Sequence, residues 1–299
     1  MKKVLVIGGS GFIGKNIIRK LKEHGVFVAS YDLFENKEAD VNYIGNIQSD
    51  EKFDNIVKEY NDIIYLITTV SPKQSMDDPA LTYINDIPLL LKTLDSCIRH
   101  NIKRVVFSSS GGTVYGNSDG KKLKETDFNE PINHYAVCKL TCEKILEMYN
   151  SLYGMENITL RISNPFGIGQ NPNSGIGFIT AVINQIKSNE KIKLFGDGTI
   201  IRDFVDVEDV AEAFYLATIW EYDRSVIPVF NIGSGEGVSL KEIVYLVSKI
   251  LNVKPEIEFL PQRDFDVLYN VLDIEKSKKL LNYNPNSDIK NIIKKYINK

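Results

Sequence analysis

The stretch Lys3-Val4-Leu5-Val6-Ile7-Gly8-Gly9-Ser10-Gly11-Phe12-Ile13-Gly14 decides the fold. Lys3 to Ile7 reads as a short apolar strand, and from Phe12 to Leu21 apolar residues recur at helical spacing. Gly8, Gly11 and Gly14 stand between the two. Strand, glycine turn and helix together form the arrangement in which backbone N–H groups and a helix N-terminus hold a pyrophosphate. A second apolar segment, Val26 to Tyr31, ends at Asp32, 24 residues after Gly8. A carboxylate there accepts hydrogen bonds from an adenosine ribose and repels a 2′-phosphate, which favours NAD over NADP.

Outward from this unit, β-branched and apolar runs recur at Ile63–Thr69, Val105–Ser108 and Thr159–Ile162. Helical stretches lie between them: Pro79 to His100, expected to break early at Pro88, and His134 to Tyr153. Alternation of this kind predicts an α/β protein with a Rossmann-like, doubly wound parallel sheet and right-handed crossovers. The character changes after Arg161. Residues 164–177 are rich in Gly, Asn and Pro and read as loop; Phe178–Ser188, Asp206–Trp220 and Val238–Leu251 read as helices, and Ile192–Phe195 and Val229–Ile232 as strands. We expect a dinucleotide-binding domain over residues 1–165, with segments returning to it near 204–235, and a smaller, interleaved substrate-binding region over most of 166–299.

The chain of 299 residues is 43% hydrophobic and 25% charged, which suits a large buried core. A net charge of −3 with interspersed signs points to neither a nucleic-acid nor a membrane surface. No run approaches the length of a membrane span, and the apolar run after Met1 stops at Gly8, too soon for a signal peptide. Three cysteines, Cys97, Cys138 and Cys142, fit buried thiols in a reducing cytoplasm. His24, His100 and His134 are the only histidines and none has ligand spacing, so no metal site is expected.

Tyr135 and Lys139, four residues apart, share one face of a helix. An ammonium near a phenol favours the phenolate, which fits Tyr135 for general acid or base work, and Lys139 could also bond a nicotinamide ribose. The spacing proves little by itself, because Tyr245 and Lys249 repeat it later in the chain. The first pair is preferred because it follows Ser108-Ser109-Ser110-Gly111-Gly112-Thr113-Val114-Tyr115-Gly116. Those hydroxyls leave the carboxyl end of a predicted strand, where ligands bind in open α/β sheets.

With these motifs in place, the chain resembles the extended short-chain dehydrogenase/reductase family, and within it the nucleotide-sugar 4-epimerases of the UDP-glucose 4-epimerase kind. The resemblance also rests on Arg161-Ile162-Ser163-Asn164-Pro165, Gly196-Asp197-Gly198 with Arg202-Asp203-Phe204-Val205, Asn231-Ile232-Gly233-Ser234-Gly235, and Arg263-Asp264-Phe265-Asp266 with Asp273. It implies a bound NAD touched by Phe12, Ile13, Asn46, Ile47 and Asn85, besides the glycines, Asp32, Tyr135 and Lys139. For a UDP-sugar substrate it implies that Asn164 contacts the diphosphate, Phe195 lies near the uracil, and Arg202 and Arg263 pair with phosphate. Asp266 would hold the uridine ribose. It also implies a homodimer built through Pro79–His100 and His134–Tyr153.

The chain departs from the family at several positions. Gly111 falls where a catalytic Ser or Thr is usual, so the hydroxyl role passes to Ser110 or Thr113. Asn46 replaces an adenine-contacting aspartate, and Val70 stands where some relatives carry a phosphate-contacting lysine. Asn270 falls at the position that controls sugar bulk, and its size leaves room for an N-acetylated sugar. The expected activity is 4-epimerisation of a UDP-sugar by transient oxidation at C4, rotation of the 4-keto sugar and re-reduction. A keto-sugar nucleotide reductase would use the same Tyr135 and Lys139. A dehydratase is disfavoured, because Gly112-Thr113 stands where relatives place Asp-Glu. A dinucleotide sensor without catalysis would need neither Tyr135 nor Lys139.

Overall fold

The computed structural model describes residues 1–172, 177–262 and 267–298. Its first unit is β1 (Lys3–Ile7), α1 (Phe12–Glu23) and β2 (Phe27–Asp32), followed by β3 (Val41–Ile44), α2 (Phe53–Val57) and β4 (Asp62–Tyr65). Two helices, α3 (Pro72–Asp77) and α4 (Pro79–Arg99), lead to β5 (Arg104–Ser110), α5 (His134–Tyr153) and β6 (Ile158–Ile162). The later half adds β7 (Asn164–Phe166), α6 (Phe178–Lys187), β8 (Ile192–Phe195), β9 (Ile201–Asp206) and α7 (Val207–Ile219). It continues with β10 (Val229–Ile232), β11 (Gly237–Ser239), α8 (Leu240–Leu251), β12 (Ile257–Leu260), β13 (Tyr269–Asn270), α9 (Glu275–Leu281) and α10 (Ile289–Ile297).

Seven strands form one parallel sheet in the order β10-β6-β5-β4-β1-β2-β3. This is the doubly wound fold the sequence predicts, with its topological switch between β1 and β4. Val4, Leu5, Val6 and Ile7 have no exposed surface, as a central strand covered on both faces requires. One core packs Ile17, Ile18 and Leu21 of α1 with Phe214 of α7 and Phe230 of β10. The opposite face is sealed by Leu90 and Leu94 of α4 and Leu146 and Tyr149 of α5. A third core joins Ile183 of α6, Leu194, Phe204 and Val247 of α8. Around it, β9 pairs with β7, β11 and β13, while β8 pairs with β12.

The structure corrects four readings. Helix α4 runs unbroken through Pro88: buried positions keep helical spacing from Thr82 and Asp86 to Leu90 and Leu94. Pro88 and Ile84, whose carbonyl loses its helical donor, both lie on the exposed side, where water can serve that carbonyl. Strand β4 ends at Tyr65, because Thr68 and Thr69 are drawn away to Asp86. Asn164–Phe166 is strand, zipped in parallel register to Phe204–Asp206. Finally, α8 begins at Leu240; Val238 pairs with Arg202, and Ser239 with Glu242 closes a capping box.

At the start of α7, burial and then the neighbouring Asp206 and Glu208 push the Asp209 carboxyl up to about 6, against the opposing Asn286 N–H and Lys295. A carboxyl raised on folding makes the native state bind more protons, so stability falls as pH rises from about 4 to about 6 and the cost persists at neutral pH. Asp209→Asn keeps an acceptor for Asn286 N, now at 2.9 Å, and removes the charge. We expect it to stabilise the protein by about 1–2 kcal/mol near pH 8 and by almost nothing near pH 4. Urea unfolding at both pH values checks this; equal effects at the two would remove the account.

Candidate active site

Two cavities open at the carboxyl ends of the central strands. The first, about 850 Å³, is lined by Gly8, Gly11, Gly14, Asp32, Asn46 and Ile47 among others. The second, about 780 Å³, is lined by Ser110, Thr113, Tyr135, Asn164, Phe195 and Arg202 among others. Phe12, Ile13, Thr68, Thr69 and Gln170 border both, so the two cavities meet there.

The first cavity is shaped by glycine. Gly8 sits at φ +86°, and a Cβ on Gly14 would strike the Gly8 carbonyl and the Gly9 backbone. Gly11 is the N-cap of α1 and gives it no side-chain cap, which leaves first-turn N–H groups for a ligand. The Asp32 carboxylate is aimed by the N–H of Ser10 at 2.9 Å and its own neighbour Leu33 at 2.7 Å. Asn46 spends its side-chain oxygen on the Gln48 N–H at 2.9 Å.

In the second cavity, Asn133 caps α5 by accepting from Ala136 N–H at 2.9 Å, and the first turn so started carries Tyr135 in the cavity wall. Ser75 Oγ accepts the Tyr135 N–H at 3.1 Å. Lys139 is buried; its Nζ donates to the Ser108 carbonyl at 3.0 Å and lies 5.7 Å from the Tyr135 ring centre. The Thr113 hydroxyl donates to Ser110 Oγ at 2.9 Å. Gly111 has no room for a hydroxyl of its own: a Cβ would come within 2.6 Å of Leu272 and 2.9 Å of the Arg161 carbonyl. Asn164 donates to the Asp203 carbonyl at 2.9 Å, and Arg202 Nη1 to the Ile201 carbonyl at 3.0 Å. Lys193 and Arg202 are the charged residues among the described lining residues, which include no carboxylate. The wall therefore suits an anionic ligand with a neutral reacting end.

Two expected residues stand apart. Asn270 lines neither cavity; it is fully buried and donates to the Gly111 carbonyl at 2.9 Å, so it props the hydroxyl loop from behind. Asn85 on α4 also lines neither cavity. Its neighbour Asp86 is the residue that turns inward, accepting from Thr69 N–H at 2.9 Å, Thr69 Oγ1 at 2.6 Å and Thr68 Oγ1 at 3.1 Å. Arg263 and Asp266 lie outside the described residues. Tyr245 is 63% exposed on α8 and, with Lys249, lines neither cavity. Val70, which stands at a position the resemblance marks, reaches the second cavity's wall, as do Gln170 and Lys193, which no motif marks as ligand-contacting.

The sequence pattern of the NAD dependent epimerase/dehydratase family matches residues 4–233. The chain belongs to this family. A Methanocaldococcus jannaschii protein, provisionally named a UDP-glucose 4-epimerase, is 31% identical over 304 residues, covering 99% of this chain and 97% of its own. An Escherichia coli dTDP-4-dehydro-6-deoxyglucose reductase is 28% identical, covering 94% of this chain and 92% of its own. The structure of UDP-glucose 4-epimerase from Thermotoga maritima, solved with UDP-glucose, superposes with a TM-score of 0.92 at 29% identity, covering 99% of this chain and 97% of that one.

For a member of the NAD dependent epimerase/dehydratase family, the cofactor is NAD. The first cavity fits it: the collision that a Gly14 Cβ would cause marks a backbone cradle, and the first turn of α1 offers donors to a pyrophosphate. Asp32 would take the adenosine ribose. Among the described residues no helix is long and apolar enough to cross a membrane. Cys97, Cys138 and Cys142 are buried and free.

Proposed function

We propose that this protein is an NAD-dependent UDP-sugar 4-epimerase. The observation that carries the reading is the set of hydroxyls of Ser110, Thr113 and Tyr135 on one cavity wall, next to the border shared with the glycine-lined cavity. Tyr135 would take the proton of the sugar C4 hydroxyl, with Ser110 and Thr113 bridging the oxygen. NAD bound in the first cavity supplies a hydride acceptor at C4 and, afterwards, the donor. The 4-keto sugar turns while Asn164, Phe195 and Arg202 hold its nucleotide, and Tyr135 returns the proton to the other configuration. Arg263 and Asp266 belong to the same proposed grip. Binding energy then sits in the nucleotide and leaves the ring free to rotate.

Anaerobic incubation of purified protein with UDP-glucose, and separately with UDP-N-acetylglucosamine, tests this by chromatography of the products. We expect conversion to the galacto form without added cofactor. No product from either sugar would sink the UDP-hexose assignment. The likeness to the Escherichia coli reductase keeps a second reading in play, which stoichiometric consumption of reduced cofactor with a keto-sugar nucleotide would establish. The missing carboxylate among the described lining residues speaks against elimination of water.

A cytoplasmic homodimer belongs to the same proposal. Helices α4 and α5 pack together and expose Leu81, Ile84, Met148 and Leu152, the last at 67%. Such a surface suits a four-helix contact between two copies. Sedimentation equilibrium should give twice the chain mass, and a single-chain mass would remove the dimer.

A further inference from the structure

Helix α5 grips two consecutive residues at the end of β5, Ser108 and Ser109, and leaves the third to the site. The Ser108 carbonyl accepts from Lys139 Nζ at 3.0 Å. The Ser109 hydroxyl, buried beneath, donates to Glu143 Oε1. Ser110 faces the second cavity, joined by Thr113, while Ser108 lines the first. Tyr135, Lys139 and Glu143 follow one another at intervals of four, so a single face of α5 carries all three down along the strand.

Glu143 is itself locked. Arg161, the register partner of Ser109 on β6, donates to it from Nε at 3.1 and 3.2 Å and from Nη2 at 2.7 Å. The guanidinium lies 4.8 Å over the Tyr115 ring, and Tyr115 donates to Asn231 Oδ1 at 2.6 Å. Both ion-paired side chains are 5% exposed, and neither lines either cavity. A buried ion pair of this kind is weak as a stabiliser, since apolar residues of similar volume often serve as well or better. Its geometry does something an apolar contact does not: directional bonds set the rotation and height of α5 against β5.

We propose that Glu143, held by Arg161, is a positioning residue that clamps α5 to β5 and sets the approach of Tyr135 and Lys139 to Ser110 and Thr113. Its kinetic test rests on the epimerase reading; a second measurement does not.

Removing Glu143 alone would strand a buried guanidinium, so the informative variant is the triple Ser109→Ala, Glu143→Leu, Arg161→Met, which leaves neither charge nor hydroxyl unpaired. We expect it to unfold cooperatively at or above the wild-type temperature and to retain NAD. Its kcat should fall about 10- to 100-fold with KM for the UDP-sugar nearly unchanged, because a misplacement of about 1 Å costs up to about 100-fold. Ser109→Ala by itself, which keeps the ion pair, should lower kcat about threefold and decides the matter if the triple variant fails to fold. A folded variant with wild-type kcat would make the ion pair merely structural and overturn the proposal. The second measurement needs no substrate: the phenol titration of Tyr135, read as the ultraviolet difference between each NAD-loaded protein and its Tyr135→Phe counterpart. The clamp predicts a displaced midpoint in the variants. An unchanged midpoint overturns it even if the wild type converts neither sugar, a result that would count against the epimerase reading alone.

Discussion

Tyr135→Phe is expected to lower turnover about 10³-fold while leaving NAD content and thermal stability unchanged. General acid–base transfer is worth about 10² to 10⁴ in rate, and no other described residue in the cavity wall combines a phenol with a neighbouring ammonium. The substitution removes one oxygen and little else. The ring keeps its place in the wall, the Tyr135 N–H keeps Ser75, and Lys139 keeps its bond to the Ser108 carbonyl. Glycines 8, 11 and 14 and Asp32 line the other cavity, so cofactor retention should not follow the phenol. Steady-state turnover and NAD released on denaturation are the measurements. Activity within tenfold of wild type would show that another group handles the C4 proton.

The second large effect should come from a residue that lines neither cavity. Asp203 on β9 is fully buried, and its carboxylate accepts from Ser234 N–H at 2.8 Å, Ser234 Oγ at 2.7 Å, Gly235 N–H at 3.2 Å and Leu272 N–H at 3.2 Å. One side chain thus ties the smaller sheet to the loop after β10 and to the segment after β13. Asp203→Ala strands three backbone N–H groups at once and leaves the Ser234 hydroxyl only the Glu236 carbonyl at 3.3 Å. An unsatisfied buried donor costs about 1–3 kcal/mol, and with partial entry of water we expect a total of about 4 kcal/mol. For a chain of this size that is a fall of about 10 °C in Tm. Asp203→Asn should fall in between, because its amide keeps one acceptor but turns a donor toward other donors. A calorimetric shift under about 2 °C for Asp203→Ala would refute the assignment.

Much of the cofactor half was legible because it is local. Lys3 to Gly14 forms strand, turn and helix from adjacent residues, and each step leaves a mark: an unbroken apolar run, glycines at forced positions, a 3.6-residue stripe. The substrate half was less legible because its parts meet only through the chain's return. Asn164–Phe166 looks like loop until β9 pairs with it, and Asn270 could be assigned to a sugar pocket until its amide is seen bonded to Gly111. Asp86 gave no sign at all. A lone carboxylate on an amphipathic helix reads as surface, and only packing turns it toward Thr68 and Thr69. The break expected at Pro88 misjudged a helix whose buried face lies elsewhere.

The two Tyr-x-x-x-Lys pairs separate what each level decides. Lys139 lies 5.7 Å from the Tyr135 ring and Lys249 lies 5.8 Å from the Tyr245 ring. The sequence determines that distance in both places, because residues four apart on an α-helix are neighbours whatever surrounds them. It also determines the glycine turn and the parallel sheet, which follow from backbone freedom and apolar periodicity. Only the tertiary structure brings β5 beneath one of the two helices, so that Tyr135 shares a cavity wall with Ser110 and Thr113 while Tyr245 stands in water. The difference is one of surroundings: a phenol becomes an acid–base candidate when long-range packing places an ammonium, a hydroxyl pair and a sheltered cavity around it.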